Sequence, residues 1–474
     1  MKQLQGIMGW VILFMAVQAQ AWAEPPAEVT KVTIPLGSIQ TRIPCDFFQP
    51  DFPNGDSNYH SLVSASDGKL YFSIDTHNTD YACRFYAFDP RPGTMNLIAE
   101  MDAPLGEHAR EEISQGKVHV PFFEHKGKLY FATHTSFYKD GLPGYDAGEK
   151  PLYKGGHFMS YDLDTSAFDD LARIIPNEGI ITMIMDRENE VLYGLSWPSA
   201  LLVSYELNQE ELHCWGSVQD RGEWGHKPHE WDRVCRTLGL DSENRLYGST
   251  MDGRIWRFDP EVRPRPLSYI EGLDLSRATF SQSAQETLKG DFQHNWRVIE
   301  WNPATNSFFG ILWETTALFE FFPGQDYIRA LADFRHEAYQ GMPRNPEISQ
   351  LGFLLAPDQN TLFYLAHGPA AEIEGKPAMQ SSLYLLTYDI GQRCMKNHGL
   401  VIGANNRRPF FAESLVIGSD ECLYSVAWVE VTDPSRRATI SKARAFGPEE
   451  TERSLYEVQL LRLPRWKEFT RYLP

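Results

Sequence analysis

An all-β fold, a seven-bladed β-propeller of four-stranded antiparallel blades, is predicted by three observations on this 474-residue chain. First, a phrase recurs: a short apolar strand ending in Leu-Tyr or an equivalent pair, a turn, then a second strand ending in Tyr-Asp or Phe-Asp-Pro. It begins at Leu70-Tyr71, Leu129-Tyr130, Leu192-Tyr193, Leu246-Tyr247, Phe308-Phe309, Leu362-Phe363 and Leu423-Tyr424, with successive copies 54 to 63 positions apart. A period of that size in β-rich units marks sheets arranged as blades around a ring. Second, a two-residue turn signal precedes most anchors, at Asp67-Gly68, Lys126-Gly127, Glu188-Asn189, Thr305-Asn306, Asp358-Gln359 and Ser419-Asp420. Third, an aromatic content of 13% supplies the large side chains that fill the gaps between blades.

Residues 1–23 have Lys2, an apolar run from Ile7 to Val17 and small residues at Ala19, Ala21 and Ala23, the pattern of a signal peptide. The expected product is secreted or periplasmic, with residues 24–474 forming one propeller domain. Glu28 to Leu36 (EVTKVTIPL) alternates like a strand and is expected to pair with the last blade, whose final strand is read at Glu457 to Leu463. That pairing would close the ring and remove exposed sheet edges. The unit is clearest in blade 4. There Asp232 to Asp241 reads as the inner strand and Arg245 to Thr250 as the second, and Asp252-Gly253 forms a hairpin into Arg254 to Asp259.

A formal charge of -19 argues against nucleic acid as a partner, and no later apolar run is long enough for a membrane span. Of the six cysteines, Cys214 with Cys235 is the expected bridge, the alternative being small buried apolar side chains.

Within each blade the start of the inner strand and the end of the second emerge at the same rim, because the two run antiparallel. The first ring of positions holds His60, His119, Thr182, Arg236, Arg297, Leu351 and Glu413. The second holds Asp75, His134, Trp197, Met251, Trp313, His367 and Trp428. Blade 2 adds Gly156-His157 after a long loop, so His119, His134 and His157 are expected at one rim, where a propeller channel takes a ligand.

Two chemistries fit. Arginines can clamp the carboxylate of a uronic acid while His or Tyr removes the C5 proton, with tryptophans stacking on the sugar. Alternatively the three histidines can hold a divalent metal such as zinc, calcium or manganese. Asp75 and Glu413 are candidates for a glycosidase carboxylate pair. Asp56-Ser57-Asn58 and Asp162-Leu163-Asp164 lack the rest of a calcium loop and read as turns.

The stretches KLYFATHTSFY and GGHFMSYDL in blade 2, VLYGLSWPSALLVSYEL in blade 3 and EWDRVCRTLGLD in blade 4 resemble the seven-bladed propeller polysaccharide lyases. These are the ulvan lyases and, more distantly, oligogalacturonate lyase. The resemblance implies β-elimination on an anionic, uronate-containing polysaccharide, with no cofactor required for that step and a structural zinc in relatives. His134 and His157 match the paired histidines, Tyr193 or Tyr205 the tyrosine, and Arg236 the arginine. His134 or Tyr193 is then the expected base, with His157 and His119 positioning or protonating and Arg236 with Arg297 on the carboxylate. Trp197, Trp313, His60 and Tyr205 complete the expected substrate contacts. The competing expectation is a propeller that binds carbohydrate or protein without turnover.

Overall fold

The computed structural model describes residues 32–470 except 109–110, 137–152, 224–231, 263, 265, 279–293, 341, 343–350, 377, 380 and 432–455. The expected signal peptide at residues 1–23 lies outside the described residues. Among those described, the regular elements are strands and single 3-10 turns, and no helix is long and apolar enough to cross a membrane.

The chain forms an all-β propeller whose antiparallel sheets follow the sequence repeats. Repeat 1 is the four-stranded sheet Leu62–Ser64, Leu70–Ile74, Arg84–Asp89 and Thr94–Glu100. Repeat 2 is Phe123–His125, Lys128–Ala132, His157–Asp162 and Phe168–Arg173, and repeat 3 is Gly179–Asp186, Val191–Trp197, Leu201–Glu206 and Glu211–Ser217. Repeats 4 and 5 are likewise separate four-stranded sheets, running from Gly239–Leu240 to Leu267–Tyr269 and from Trp296–Asn302 to Tyr327–Asp333. Repeats 6 and 7 share one nine-stranded sheet, joined through the strand Arg42–Phe48.

The recurring phrase has a mechanical cause. Each turn between first and second strands closes on a left-handed residue: Gly68, Gly127, Glu190, Asn244, Asn306, Gln359 and Glu421. An Asp or Asn at the turn accepts from the backbone N–H two residues on, as in Asp67 to Lys69, Asp241 to Glu243, Asp358 to Asn360 and Asp420 to Cys422. The other carboxylate oxygen then accepts from the anchor tyrosine: Tyr71 to Asp67 at 2.8 Å, and Tyr247 to Asp241 and Tyr424 to Asp420 at 2.9 Å. The anchor leucine and tyrosine are both buried because each sheet is covered on both faces. The core is therefore divided among the interfaces between sheets. Examples are Tyr71 and Phe85 against Tyr161, and Tyr193 with Trp215 against Phe258.

The closing strand differs from expectation. Arg42–Phe48 pairs antiparallel with Tyr456–Arg465 and parallel with Cys394–Gly403. It alternates as a half-buried strand should, with Ile43 and Cys45 buried and Arg42, Pro44 and Asp46 exposed. Among the described residues of the earlier alternating segment, Thr33–Pro35 forms a strand that pairs parallel with Ala370–Glu372. Ring closure is reinforced by His60 N–H donating to the Glu413 carbonyl and Ser419 Oγ donating to the Gly68 carbonyl.

In repeat 4 the inner strand shrinks to Gly239–Leu240 because the backbone ahead of it bonds side chains instead of a ladder. Val234 N–H donates to Glu223, and the Asp232 carbonyl accepts from Gln219. All six cysteines are free thiols; Cys214 is exposed on an outer strand, whereas Cys235 is buried with its thiol on the Thr237 carbonyl, so the expected bridge does not form.

Candidate functional site

The rim of the propeller carries a contiguous polar cluster drawn from repeats 1, 2, 4, 5 and 7. Its most unusual backbone is the tight loop Asp56–Ser61, where consecutive residues Tyr59 (φ 50) and His60 (φ 73) are left-handed. Non-glycine residues in that region cost about 1–3 kcal/mol each and persist only where surroundings enforce them. Here Asn58 enforces it: its amide donates to the Ser61 carbonyl, Ser61 Oγ and the Ser73 carbonyl at 3.0, 2.9 and 2.6 Å.

The loop presents Tyr59, half-buried, to three partners. Its ring stacks on His119 with centroids 4.4 Å apart and planes 19° apart, and Lys117 Nζ lies 5.8 Å from its centroid. Its hydroxyl is 3.3 Å from His77 Nε2, and His77 Nδ1 is 2.8 Å from Asp56 Oδ1. Asp56 also accepts from Ser57 Oγ at 2.7 Å and from His77 N–H at 3.0 Å. Burial works against its charge, but the His77 and Ser57 contacts outweigh it and hold the carboxyl below its ordinary range. Burial lowers the His77 pKa, with Lys117 adding to the effect and Asp56 opposing it. The pairing with Asp56 places the imidazole proton on Nδ1, leaving Nε2 as acceptor for the tyrosine hydroxyl.

Around the ring, His119 donates from Nδ1 to the Ile181 carbonyl at 2.8 Å and meets His134 edge-on at 5.7 Å; His134 in turn meets Trp197 at 5.4 Å. The Trp197 indole N–H donates to Glu223, which accepts from Arg236 Nη2 at 2.8 and 2.9 Å. The Arg233 and Arg297 guanidinium carbons lie 4.6 and 4.4 Å from the Trp313 centroid. Charges of both signs meet here, with Lys117 beside Asp56 and Asp75. Cations Lys117, Arg233, Arg236 and Arg297 come from repeats 2, 4 and 5, with Glu223 countering Arg236. Acids Asp56, Asp75 and Glu413 come from repeats 1 and 7. Burial pushes Lys117 down to about 7, with Asp56 and Asp75 opposing the shift. Burial and Arg297 push His60 to about 3, and His119 and His134 are likewise held neutral by burial and neighbouring cations.

Of the residues expected from sequence, His60, His119, Arg236 and Arg297 stand in this cluster. His134 reaches it but is wholly buried, walled by Gly179, where an added Cβ would lie 2.0 Å from Nδ1. His157 does not join the other histidines: its Nδ1 is 2.8 Å from Asp170 and its Nε2 3.6 Å from Glu107, because its side chain turns toward the outer strand. The three-histidine metal site is therefore not assembled, and among the described residues no group of three His, Cys, Asp or Glu converges to hold an ion. Tyr193 and Tyr205 are corrections too. Tyr193 is the anchor tyrosine of repeat 3, packed on Phe258 with its hydroxyl pKa raised by burial, and Tyr205 stacks on Phe158 between sheets. Trp197 and Trp313 are buried and already engaged by His134, Glu223 and the two arginines, which removes them as platforms for a sugar.

Sequence reasoning missed Tyr59, His77, Lys117 and Glu223, and dismissed Asp56 as a turn residue. Two of these carried a signal. Lys117 lies two residues before His119 and His77 two after Asp75, the spacing that returns to the same side of an extended chain.

No family model matches the chain, and no curated protein matches its sequence. Among solved structures it is similar to the periplasmic gluconolactonase of Pseudomonas aeruginosa, at 11% identity and a TM-score of 0.45, over 80% of this chain and 93% of that one. It is also similar to a chain of the mitotic checkpoint complex, at 10% identity and a TM-score of 0.46, over 87% and 96%. A protein from Lactobacillus plantarum matches at 9% identity and a TM-score of 0.46, over 77% and 92%. What those proteins act on does not carry over at such distances.

Proposed function

We propose that this chain is an exported lyase that cleaves uronate-containing polysaccharide by β-elimination, with Tyr59 as the base. The observation that supports it is the line Tyr59, His77, Asp56 at the rim, with Lys117 beside the Tyr59 ring. In this reading Arg297 neutralises the uronate carboxylate, which acidifies the C5 proton, while Arg236 is held by Glu223. Tyr59 takes that proton as it gives its own to His77 Nε2, and Asp56 stabilises the resulting imidazolium. This is the division of labour of a nucleophile–histidine–carboxylate triad turned to proton abstraction. Lys117 beside the Tyr59 ring favours negative charge on the phenol oxygen.

The reading replaces His134 and Tyr193 as base candidates, leaves His157 without its positioning or protonating role, and gives His119 the task of orienting Tyr59. The test is ultraviolet absorbance from the unsaturated uronate product on a panel of uronate polymers. Tyr59→Phe is expected to lower turnover by about 10²- to 10⁴-fold, the range for removing a positioned base, while leaving thermal unfolding nearly unchanged. Binding of those polymers without any product from the unaltered protein would instead mark a non-catalytic carbohydrate-binding propeller.

A further inference from the structure

We infer that the hollow between residues 34–41 and repeat 6 is a binding site for a single neutral sugar ring, apart from the Tyr59 cluster and independent of the elimination reading. The hollow holds about 300 Å³, near the lower end of the range for small-molecule pockets, about 300–1,000 Å³. Its walls include Ile34 and Ile39 on one side, His336 and Glu337 from the segment that enters repeat 6, and Tyr384 and Asn397 from the sheet of that repeat. None of them belongs to the Tyr59 cluster.

Two glycines shape it. A Cβ on Gly368 would lie 2.5 Å from the Tyr384 ring and 2.8 Å from His336 Cδ2, so its absence lets those rings pack with centroids 4.3 Å apart. Gly399 is left-handed at φ 109, and a Cβ there would lie 2.3 Å from the Thr41 carbonyl oxygen, which accepts from Leu400 N–H at 3.0 Å. That close approach seats residues 34–41 as the facing wall.

His336 is 4% exposed, and its Nδ1 accepts from Ala338 N–H at 3.2 Å. That bond places the imidazole proton on Nε2, which is then a donor and not a metal ligand. Nε2 lies 3.8 Å from Glu337 Oε1, too far for a hydrogen bond, and closes none among the described residues. Glu337 Oε2 accepts from Asn397 Nδ2 at 2.9 Å, which anchors the carboxylate to the outer strand of repeat 6. Burial lowers the His336 pKa with Glu337 opposing, while Asn397 and His336 outweigh burial and lower that of Glu337. The hollow thus offers a neutral donor and a charged acceptor side by side.

A group that accepts and donates at once fits between them, and a hydroxyl is such a group. An anion would be set against the Glu337 carboxylate, and a cation against the Nε2 proton. Half-buried Ile34 and Ile39 add apolar contact for the C–H face of a sugar ring.

Titration of the full chain with the methyl glycosides of glucose, galactose and xylose, and with methyl glucuronide and methyl galacturonide, is followed through the His336 Cε1–H resonance, assigned by its loss in His336→Gln. At least one neutral hexoside is expected to shift that resonance with millimolar affinity, at least about tenfold tighter than its uronate counterpart. Glu337→Ala is expected to weaken that hexoside by at least about tenfold, as for a lost hydrogen bond to a charged group. Thermal unfolding should stay nearly unchanged, because the Glu337 side chain is 67% exposed. Glu337→Gln removes the charge but keeps an acceptor, and is expected to bring hexoside and uronate to within about threefold of each other. No shift with any neutral glycoside, a uronate bound as tightly as its neutral counterpart, or an affinity unchanged in Glu337→Ala would each overturn the assignment.

Discussion

Replacing Glu223 by glutamine tests whether Arg236 is held at the rim by one buried ion pair. Glu223 accepts from Arg236 Nη2 at 2.8 and 2.9 Å, from Val234 N–H at 3.0 Å and from the Trp197 indole. The Arg236 and Glu223 side chains are 4% and 8% exposed, so solvent screens the pair little. Removing one partner of a buried pair leaves the other charge without compensation and costs about 3–5 kcal/mol. Trp197 and Val234 donate to different oxygens of Glu223, so glutamine keeps only one of them and sets its NH2 against the other donor, which places Glu223→Gln at about 3 kcal/mol or more by the same rule. Arg236→Met strands the carboxylate near Arg233 and costs a similar amount. Removing both charges together strands neither, so the double variant is expected to lose about 1–3 kcal/mol, giving a coupling of at least about 3 kcal/mol. Denaturant unfolding of the four proteins measures it. Burial opposes ionisation of Glu223, but Arg236 and Arg233 hold its carboxyl below the ordinary value. Its contribution is therefore present above about pH 4 and is lost as pH falls through the depressed value, so the coupling shrinks in acid. Single-variant losses below about 1 kcal/mol, or a coupling that does not change with pH, would refute a desolvated, mutually compensating pair.

Two further outcomes follow from histidines whose settings differ. His134→Ala is expected to destabilise by about 2–4 kcal/mol, since the ring is wholly buried between His119 and Trp197 and its removal leaves a cavity; thermal unfolding unchanged within 1 °C would mean the ring is dispensable to packing. Burial disfavours charge on His157, yet Asp170 and Glu107 outweigh it and raise its pKa above the ordinary value. Its stabilisation is thus complete below about pH 6.5 and lost as pH rises through the raised value. His157→Gln should flatten that limb of the unfolding midpoint against pH, and an unchanged limb would assign it to another group.

The repeat was legible because one local device is copied: a turn acid whose two oxygens bind the turn backbone and the anchor tyrosine, as Asp67 does for Lys69 and Tyr71. Period and turn chemistry therefore agree wherever the device recurs. Ring closure was not legible, since Glu28–Leu36 and Arg42–Phe48 both alternate and only tertiary pairing chooses between them. The antiparallel register correctly brought His60, His119, Arg236, Arg297, Asp75 and Glu413 to one rim. It could not show that Trp197 and Trp313 would be consumed by neighbours, which depends on the reach of Glu223, Arg233 and Arg297 across blades. Tyr193 was misassigned although the frame contained the answer: it is the counterpart of Tyr71, Tyr247 and Tyr424, whose hydroxyls serve turns.

What separates the rim from ordinary packing is its cost. Two successive left-handed residues, a buried lysine, the buried Arg236–Glu223 pair and the fully buried carboxyls of Asp75 and Glu413 each lower stability relative to well-packed apolar side chains. The interfaces between sheets a few residues away are built from leucine, phenylalanine and tyrosine with no such expense. A closure that served stability alone would continue that apolar packing to the axis. Buried ion pairs occur elsewhere too, as at Arg408 and Glu430, but here such groups gather with a tyrosine–histidine–aspartate line and two buried carboxyls in one cluster, which is coherent if their positions are set by a ligand that needs them ready before it arrives.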